Sequence, residues 1–205
     1  MLTEAWAFLW DAAVVRRETD LFPAAPYIDA FEQERDDDAR ARLQEAMWIV
    51  LRDGAENEQA IAATFFVKTE MPSSLADQAA QLYVARGLGA DSALAVLLAG
   101  QTRLSTSARD ALRDQFHRQP MRHAAFAYST IVDARDSADW KALETIAQQT
   151  DDPATLAAAF NGAFARERGN DLGSVLSQRP KELLKAAAPQ TFAEDEFLAA
   201  AGVKP

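Results

Sequence analysis

Apolar residues along this chain recur in steps of three and four positions. That spacing places apolar side chains on one face of an α-helix and is the main sign of helical structure. A half-buried strand would instead show alternating apolar and polar residues between turn signals, and no clear run of that kind is found. The sequence therefore predicts an all-α fold.

Residues that commonly begin helices stand before several of these apolar runs. A short oxygen-bearing side chain there accepts a hydrogen bond from a free backbone N–H, and proline suits the first helical turn. Candidate starts are Ser74, Ser137, Asp152 before Pro153, and Thr191 in the capping box "TFAE". Candidate stops or turns lie at Gly54, Gly87, Gly89, Gly169 and Gly173.

Four stretches share the pattern helix, short turn, helix. They are residues 37–70, 73–103, 105–136 and 137–169. Ser73, Ser105 and Ser137 lie 32 residues apart in these stretches. At the same offset, two apolar columns three residues apart form one helical face: Ala76, Ala108 and Trp140, then Ala79, Ala111 and Leu143.

A period of this length, with two helices per repeat, resembles the HEAT and armadillo repeats. The resemblance covers about residues 37–169 and concerns architecture only. It implies a right-handed α-solenoid of stacked antiparallel helix pairs, and the alternative is an irregular multi-helix bundle. We expect one domain over residues 1–205, with N-terminal capping helices in 1–35, about four repeats, and C-terminal capping helices in 170–205. Trp6, Leu9, Trp10 and Ala13 form the apolar face of the first helix.

Length and composition are those of a globular protein. The chain has 205 residues, of which 49% are hydrophobic and 25% charged, and it contains no cysteine. Disulfides and cysteine-dependent catalysis or metal binding are therefore excluded. No apolar run approaches the roughly 18 residues of a membrane span, and the N-terminus lacks a signal-peptide pattern. We expect a cytoplasmic protein without a membrane partner.

The charge of the chain is strongly negative and uneven. The net charge is −10, with a pI near 4.7. Residues 1–70 hold 15 acidic and 7 basic residues, a net charge of −8, whereas residues 101–135 hold 3 acidic and 6 basic residues, a net charge of +3. The balance disfavours nucleic acid as a partner and favours a basic protein.

Both histidines, His117 and His123, lie in the stretch "DQFHRQPMRHAAF". Two metal-binding histidines on one helix face need a spacing of four residues, and these are six apart with Pro120 between them. We interpret the stretch as the turn between two helices, with both histidines partly exposed and acid–base use as the alternative. The second helix should begin near Pro120 and turn Ala124, Tyr128 and Ile131 inward.

Other candidate motifs favour structural roles, and no catalytic residue, cofactor or metal is predicted. Gly87 and Gly89 begin a GxGxxG pattern, but Ser92 replaces its third glycine and no strand precedes it. Asn161 and Gly162 lie inside a predicted helix, where close packing over the glycine is the main interpretation and a ligand-facing Asn161 the alternative. The four tryptophans, Trp6, Trp10, Trp48 and Trp140, are expected in the core, with interface contacts as the alternative.

The composition favours a protein–protein interaction module that binds a basic partner by complementary charge. Small acidic proteins without catalytic motifs include bacterial immunity proteins, which cover the active sites of toxins, and that class is the preferred analogy. The expected partner-binding residues are Asp36, Asp37, Asp38, Glu56 and Glu58. The sequence leaves enzymatic activity and oligomeric state open, and it favours a binding protein over an enzyme.

The alternative is a helical-repeat enzyme or nucleic-acid-processing protein, by resemblance to HEAT-like DNA glycosylases. It would use the arginine island of residues 109–122, which comprises Arg109, Arg113, Arg118 and Arg122, with Trp140 nearby in sequence. Since the chain carries −10 in total and residues 101–135 carry +3, the remainder carries −13. A duplex-binding protein normally presents a broad basic face, so this charge counts against the alternative.

Overall fold

The structure is a computed structural model that describes residues 1–2, 4–5, 8–9 and 23–203. Within these ranges the protein is all-α and contains no β-strand, which confirms the predicted fold class. Contacts divide the chain into two compact units. Unit 1 comprises Met1–Arg86 and Ser92–Ser105, and unit 2 comprises Gly87–Asp91 and Thr106–Pro205. The expectation of one domain with capping helices at both ends stays a prediction.

The five numbered helices of unit 1 are α1 (Ala25–Gln33), α2 (Asp37–Asp53), α3 (Glu56–Thr69), α4 (Ser73–Arg86) and α5 (Ala93–Ala99). Those of unit 2 are α6 (Thr106–Arg118), α7 (Ser137–Gln149), α8 (Pro153–Phe164), α9 (Gly173–Leu176), α10 (Lys181–Ala187) and α11 (Glu194–Ala200). Three short 3₁₀ segments also lie in unit 2, at Ala124–Phe126, Gly169–Leu172 and Ala188–Gln190. No described helix is long and apolar enough to cross a membrane.

The core of unit 1 forms around α3, which packs against α1, α2 and α5. Aromatic side chains make its central contacts: the rings of Phe31 and Phe65 meet edge to face at 5.5 Å, and Phe65 meets Phe66 at 5.2 Å. Trp48 is buried, as expected of a core tryptophan. Leu9 is buried too, whereas Trp6, Trp10 and Ala13 lie outside the described residues.

The core of unit 2 forms around α8, which packs against α7, α10 and the 3₁₀ segments. The ring of Phe160 contacts that of Phe197 edge to face at 5.0 Å, which joins α8 to α11. Trp140 is not a full core residue. It is half-buried, and the Arg168 guanidinium lies 4.0 Å above its ring.

Asn161 and Gly162 have structural roles in α8. A Cβ on Gly162 would lie 2.1 Å from the carbonyl oxygen of Ala127, so only glycine allows this close backbone approach. Asn161 is buried; its Nδ2 donates to the Gln190 carbonyl at 3.2 Å and its Oδ1 accepts from the Phe192 N–H at 2.9 Å. The packing interpretation of Gly162 is therefore confirmed, while Asn161 holds a distant turn rather than facing a ligand.

Three of the four predicted helix pairs form: α2 with α3, α4 with α5, and α7 with α8. The third prediction is wrong in its second half. After α6 ends at Arg118, residues 119–136 form turns and the 3₁₀ segment Ala124–Phe126 instead of a helix. Tyr128 is correspondingly exposed rather than turned inward, although Ala124 and Ile131 are buried.

Side chains from unit 2 hold this irregular segment in place. Arg166 Nη2 donates to the Ser129 carbonyl at 2.9 Å, and Arg168 Nη1 donates to the Ala134 carbonyl at 2.8 Å. These long-range bonds satisfy backbone groups that a helix would satisfy locally. The partly buried residues 119–136 therefore hold their conformation without regular secondary structure.

Of the four residues predicted to begin helices, Asp152 is the cap of its helix, and Ser74 and Ser137 lie just inside theirs. Asp152 caps α8 by accepting from the Thr155 N–H at 2.8 Å, with Pro153 in the first turn. Ser74 is the second residue of α4, and Ser137 is the first of α7, whose cap is Asp136. The predicted capping box at Thr191 is wrong, since α11 begins at Glu194. The Thr191 hydroxyl donates instead to the Ala188 carbonyl.

The two predicted apolar columns are only partly buried. Ala76, Ala79, Ala108 and Leu143 are buried, but Ala111 is exposed and Trp140 is half-buried. The 32-residue spacing therefore marks the starts of α4, α6 and α7 better than it marks a continuous apolar face.

Candidate functional site

The acidic run of residues 36–38 begins α2 in unit 1. Asp36 is the cap, and its carboxylate accepts from the Asp38 N–H at 2.9 Å and the Ala39 N–H at 3.4 Å. Asp37 and Asp38 follow in the first turn, where the helix dipole favours negative charge. All three side chains are exposed, and none forms an ion pair with a described basic residue.

The other two predicted binding residues lie elsewhere. Glu56 and Glu58 stand in the first turn of α3, directly after α2 ends. Glu56 is exposed, while the Glu58 carboxylate accepts from the Ala55 N–H at 2.7 Å and so caps the helix. Since α2 has 17 residues, roughly 25 Å of helix separates these glutamates from residues 36–38. The structure thus forms two acidic clusters and not one.

A pocket of about 320 Å³ adjoins Asp37 in unit 1. We call it the α2 pocket. Its lining comes from α1, α2, the end of α3 and the segment after α5, and comprises Phe31, Asp37, Arg40, Ala41, Gln44, Thr69, Glu70, Pro72 and Arg103. Of the residues expected to bind a partner, only Asp37 lines it.

Glu70 and Arg103 form an ion pair at the edge of the α2 pocket, with Oε2 and Nη2 2.5 Å apart. The backbone of Glu70 has φ 60° and ψ 124°, a conformation that costs a non-glycine residue of order 1–3 kcal/mol. Gln44 Nε2 donates to the Glu70 carbonyl at 3.2 Å and helps to hold this conformation. The same ion pair borders a second pocket of about 210 Å³, lined by Val67, Met71 and Leu97 among others.

Arg40 is the residue of this pocket that sequence reasoning missed. It follows the acidic run directly, and its guanidinium lies 4.4 Å from the centroid of the Phe31 ring. The uneven charge of the chain drew attention to the acidic residues 36–38 and not to the arginine beside them. No local signal links Arg40 to Glu70 or Arg103, which lie 30 and 63 residues further along the chain.

The arginine island belongs to unit 2. Three of its members, Arg113, Arg118 and Arg122, make internal contacts, and the Nε of Arg109 is buried without a hydrogen-bond partner. Arg113 Nε donates to both carboxylate oxygens of Asp139, at 3.1 and 2.9 Å, and its Nη2 makes a further short contact there. Hydrogen bonding to Asp139 raises the pKa of Arg113. Arg122 Nη2 donates to the Gly87 carbonyl. Arg118 is exposed and pairs with Asp114 at 3.7 Å.

The two histidines have different environments. His117, in the last turn of α6, places Nε2 2.5 Å from Asp139 Oδ1, and a quarter of its side chain is exposed. His123 is buried, so the expectation of a partly exposed turn residue is wrong for it. Desolvation, followed by the charge of Arg122, lowers the pKa of His123.

Asp139 is the centre of this cluster and is wholly buried at the start of α7. Besides Arg113 and His117, it accepts from the Asp133 N–H at 2.8 Å. A carboxylate that holds an imidazole in this way also occurs in catalytic sites, where it fixes the tautomer. Here its contacts join α6, the irregular segment and α7, which is a structural arrangement.

Neither unit offers a metal centre in the part of the chain that the structure describes, where no three histidine, aspartate or glutamate residues are grouped suitably. Comparison with protein-family models, curated proteins and solved structures gave no match. The described chain is thus an all-α protein with two acidic clusters and a pocket in unit 1.

Proposed function

We propose that this protein is an acidic interaction module that captures a basic protein through the start of α2. The main support is that three consecutive carboxylates, Asp36, Asp37 and Asp38, are exposed and form no ion pair with any described residue. Exposed charges of one sign steer a partner of the opposite sign during encounter. Glu56 supplies a second, separate contact at the other end of α2.

Within that class, we propose an immunity-type inhibitor that neutralises a basic toxin domain in the cytoplasm. The net charge of −10 suits such a partner. For the architecture, the finer proposal is the HEAT-like right-handed solenoid, supported by the 32-residue spacing and the three helix pairs. A stack of helix pairs would present an extended surface to a folded partner.

The contacts in unit 2 weigh against the nucleic-acid alternative. Arg113 is bound to buried Asp139, and Arg122 is bound to a backbone carbonyl. Arg113 already uses Nε and Nη2 in these bonds and Arg122 uses Nη2, so fewer of their N–H groups remain for phosphate. Four arginines of which two are already bound supply too few phosphate contacts for a duplex-binding face.

The experiment requires a partner, and the product of the neighbouring gene is the first to test. If that product is a basic toxin, its activity should be inhibited by the wild-type protein at a near-equimolar ratio. The acid-reversal variant, Asp37→Lys with Asp38→Lys and Glu56→Lys, leaves the capping residues Asp36 and Glu58 intact. It should weaken inhibition at least tenfold.

A matched variant controls for net charge. Glu182→Lys, Asp195→Lys and Glu196→Lys change three exposed acids in the first turns of α10 and α11. This control should inhibit as well as the wild type. An equal loss of inhibition in both variants would contradict capture at α2. It would mean that the total charge of the protein, and not its position, determines inhibition.

A further inference from the structure

Arg40 has hydrogen-bonding capacity that the described chain does not use. Its Nε is shielded from solvent and has no partner, and the side chain makes no hydrogen bond or ion pair with a described residue. Leaving a buried donor unpaired costs about 1–3 kcal/mol, and more when the group is charged. A native arginine in this state therefore calls for an explanation.

Neighbouring carboxylates do not supply that partner. Asp36, one helical turn before Arg40, accepts hydrogen bonds from the backbone as the cap of α2. Asp37 lines the same pocket but forms no ion pair with Arg40. The guanidinium instead lies against the Phe31 ring, a contact that holds it in place without using its N–H groups.

The charges around the α2 pocket limit what can bind there. Arg40 and Arg103 are balanced by Asp37 and Glu70, and Arg103 is already paired with Glu70. Arg40 and Asp37 are the two charges left without an ion pair, so the pocket carries no net positive charge, and a ligand with a single negative charge placed at Arg40 fits it best. A phosphate dianion would face the two carboxylates as well.

We propose that the α2 pocket binds a carboxylate group through Arg40. A planar carboxylate matches the planar guanidinium and can accept from two of its N–H groups. The carboxylate could belong to a small molecule or to the C-terminus of a polypeptide, since the pocket of about 320 Å³ admits either. This site is separate from the capture of a basic partner, and either can exist without the other.

The test is an NMR titration of protein with ¹⁵N-labelled arginine, observed at the Arg40 Nε–Hε resonance. N-acetylglycine is the probe, and sodium chloride at equal ionic strength is the reference. We expect a saturable shift with a dissociation constant of about 1 mM, corresponding to roughly −4 kcal/mol. Arg40→Gln should abolish binding, followed through backbone amides of the pocket. Arg42→Gln, on the exposed side of the same helix, should retain it.

Two further arms separate the sources of the carboxylate. A peptide with a free C-terminus is compared with its C-terminal amide. Binding of the acid at least tenfold tighter than N-acetylglycine, without binding of the amide, assigns the site to a polypeptide terminus. Equal binding of the acid and N-acetylglycine assigns it to small carboxylates.

Three results would overturn the proposal. They are the absence of a saturable shift up to about 50 mM N-acetylglycine, tighter binding of inorganic phosphate than of N-acetylglycine, and unchanged binding in Arg40→Gln. Should Arg40→Gln fail to fold, as its amide spectrum would show, the wild-type titration with phosphate and N-acetylglycine still decides.

Discussion

Arg40 in unit 1 and Arg113 in unit 2 are both partly buried arginines on helices, yet their surroundings differ. Arg113 meets the wholly buried carboxylate of Asp139, which is also bound by His117 and a backbone N–H. Arg40 meets an aromatic ring and a pocket, and has no hydrogen-bond partner among the described residues.

Arginine side chains have different roles in the two units. In unit 2, arginines join segments that are separate in sequence. Arg166 and Arg168 donate to backbone carbonyls of residues 119–136, and Arg113 donates to the Asp139 carboxylate of α7. In unit 1, Arg40 lies against the Phe31 ring with a shielded and unpaired Nε, and the neighbouring acids Asp36, Asp37 and Asp38 are exposed. Arg113 therefore has a structural role in unit 2, and Arg40 is the arginine of unit 1 to which we assign a binding role.

We expect the largest difference in the free energy of unfolding between the variants Asp139→Asn and Arg40→Gln. Removing the Asp139 charge leaves Arg113 and His117 without their partner, and breaking a buried pair costs about 3–5 kcal/mol. Because a quarter of each partner side chain is exposed, we expect the lower end, about 3 kcal/mol. Arg40→Gln removes both an unpaired buried donor and the contact with the Phe31 ring, which have opposite effects, so stability should change by no more than about 1 kcal/mol. Urea unfolding measures the stability of both variants. Similar losses of stability would contradict the different roles assigned to Arg113 and Arg40.

The second prediction compares the effect on stability of replacing two glycines, Gly162 in unit 2 and Gly100 in unit 1. Gly162→Ala places Cβ 2.1 Å from the Ala127 carbonyl oxygen, so the backbone must shift, and we expect a loss of about 2 kcal/mol. Gly100→Ala in unit 1 is the control, because its nearest neighbour, the Leu97 carbonyl oxygen, would be 3.7 Å away. Thermal unfolding should show little change for Gly100→Ala. A neutral Gly162→Ala would mean that the approach to Ala127 is not required.

Local sequence signals predicted the parts of the fold that depend on local physics. The cap at Asp152 and the helix pair α2–α3 follow from short-range hydrogen bonding and apolar spacing. Residues 119–136 could not be predicted in this way. Their conformation depends on Arg166 and Arg168, more than 30 residues later, and on Asp139.

For the candidate site, too, the sequence predicted only the features that depend on neighbouring residues. The exposed acids at residues 36–38 were evident from charge alone. The α2 pocket was not, because it combines residues of α1 and α2 with Glu70 and Arg103. Only the folded chain brings these four segments together.

A smaller effect concerns pH and His123. Burial lowers the pKa of His123 below its usual value near 6.5, so the unfolded chain binds a proton there more readily than the folded one. This contribution to stability is fully present above pH 6.5 and is lost as the pH falls towards the pKa of the folded state. The free energy of unfolding should decrease by no more than about 1.4 kcal/mol per pH unit for this one proton. Urea unfolding of wild type and His123→Gln between pH 7.5 and 5 measures it. Equal slopes would contradict a histidine held neutral by burial.

The central claim, capture of a basic partner by the acids at the start of α2, is tested most directly by the salt dependence of association. At low salt the field of these acids extends about 10 Å or more, and added salt shortens that range. The association rate of the wild type should therefore fall by about tenfold or more between 25 and 250 mM sodium chloride, with a much smaller change in dissociation. The acid-reversal variant should associate slowly at both concentrations, and the matched variant in unit 2 should follow the wild type. An acid-reversal variant that associates as fast as the wild type at 25 mM would contradict the account.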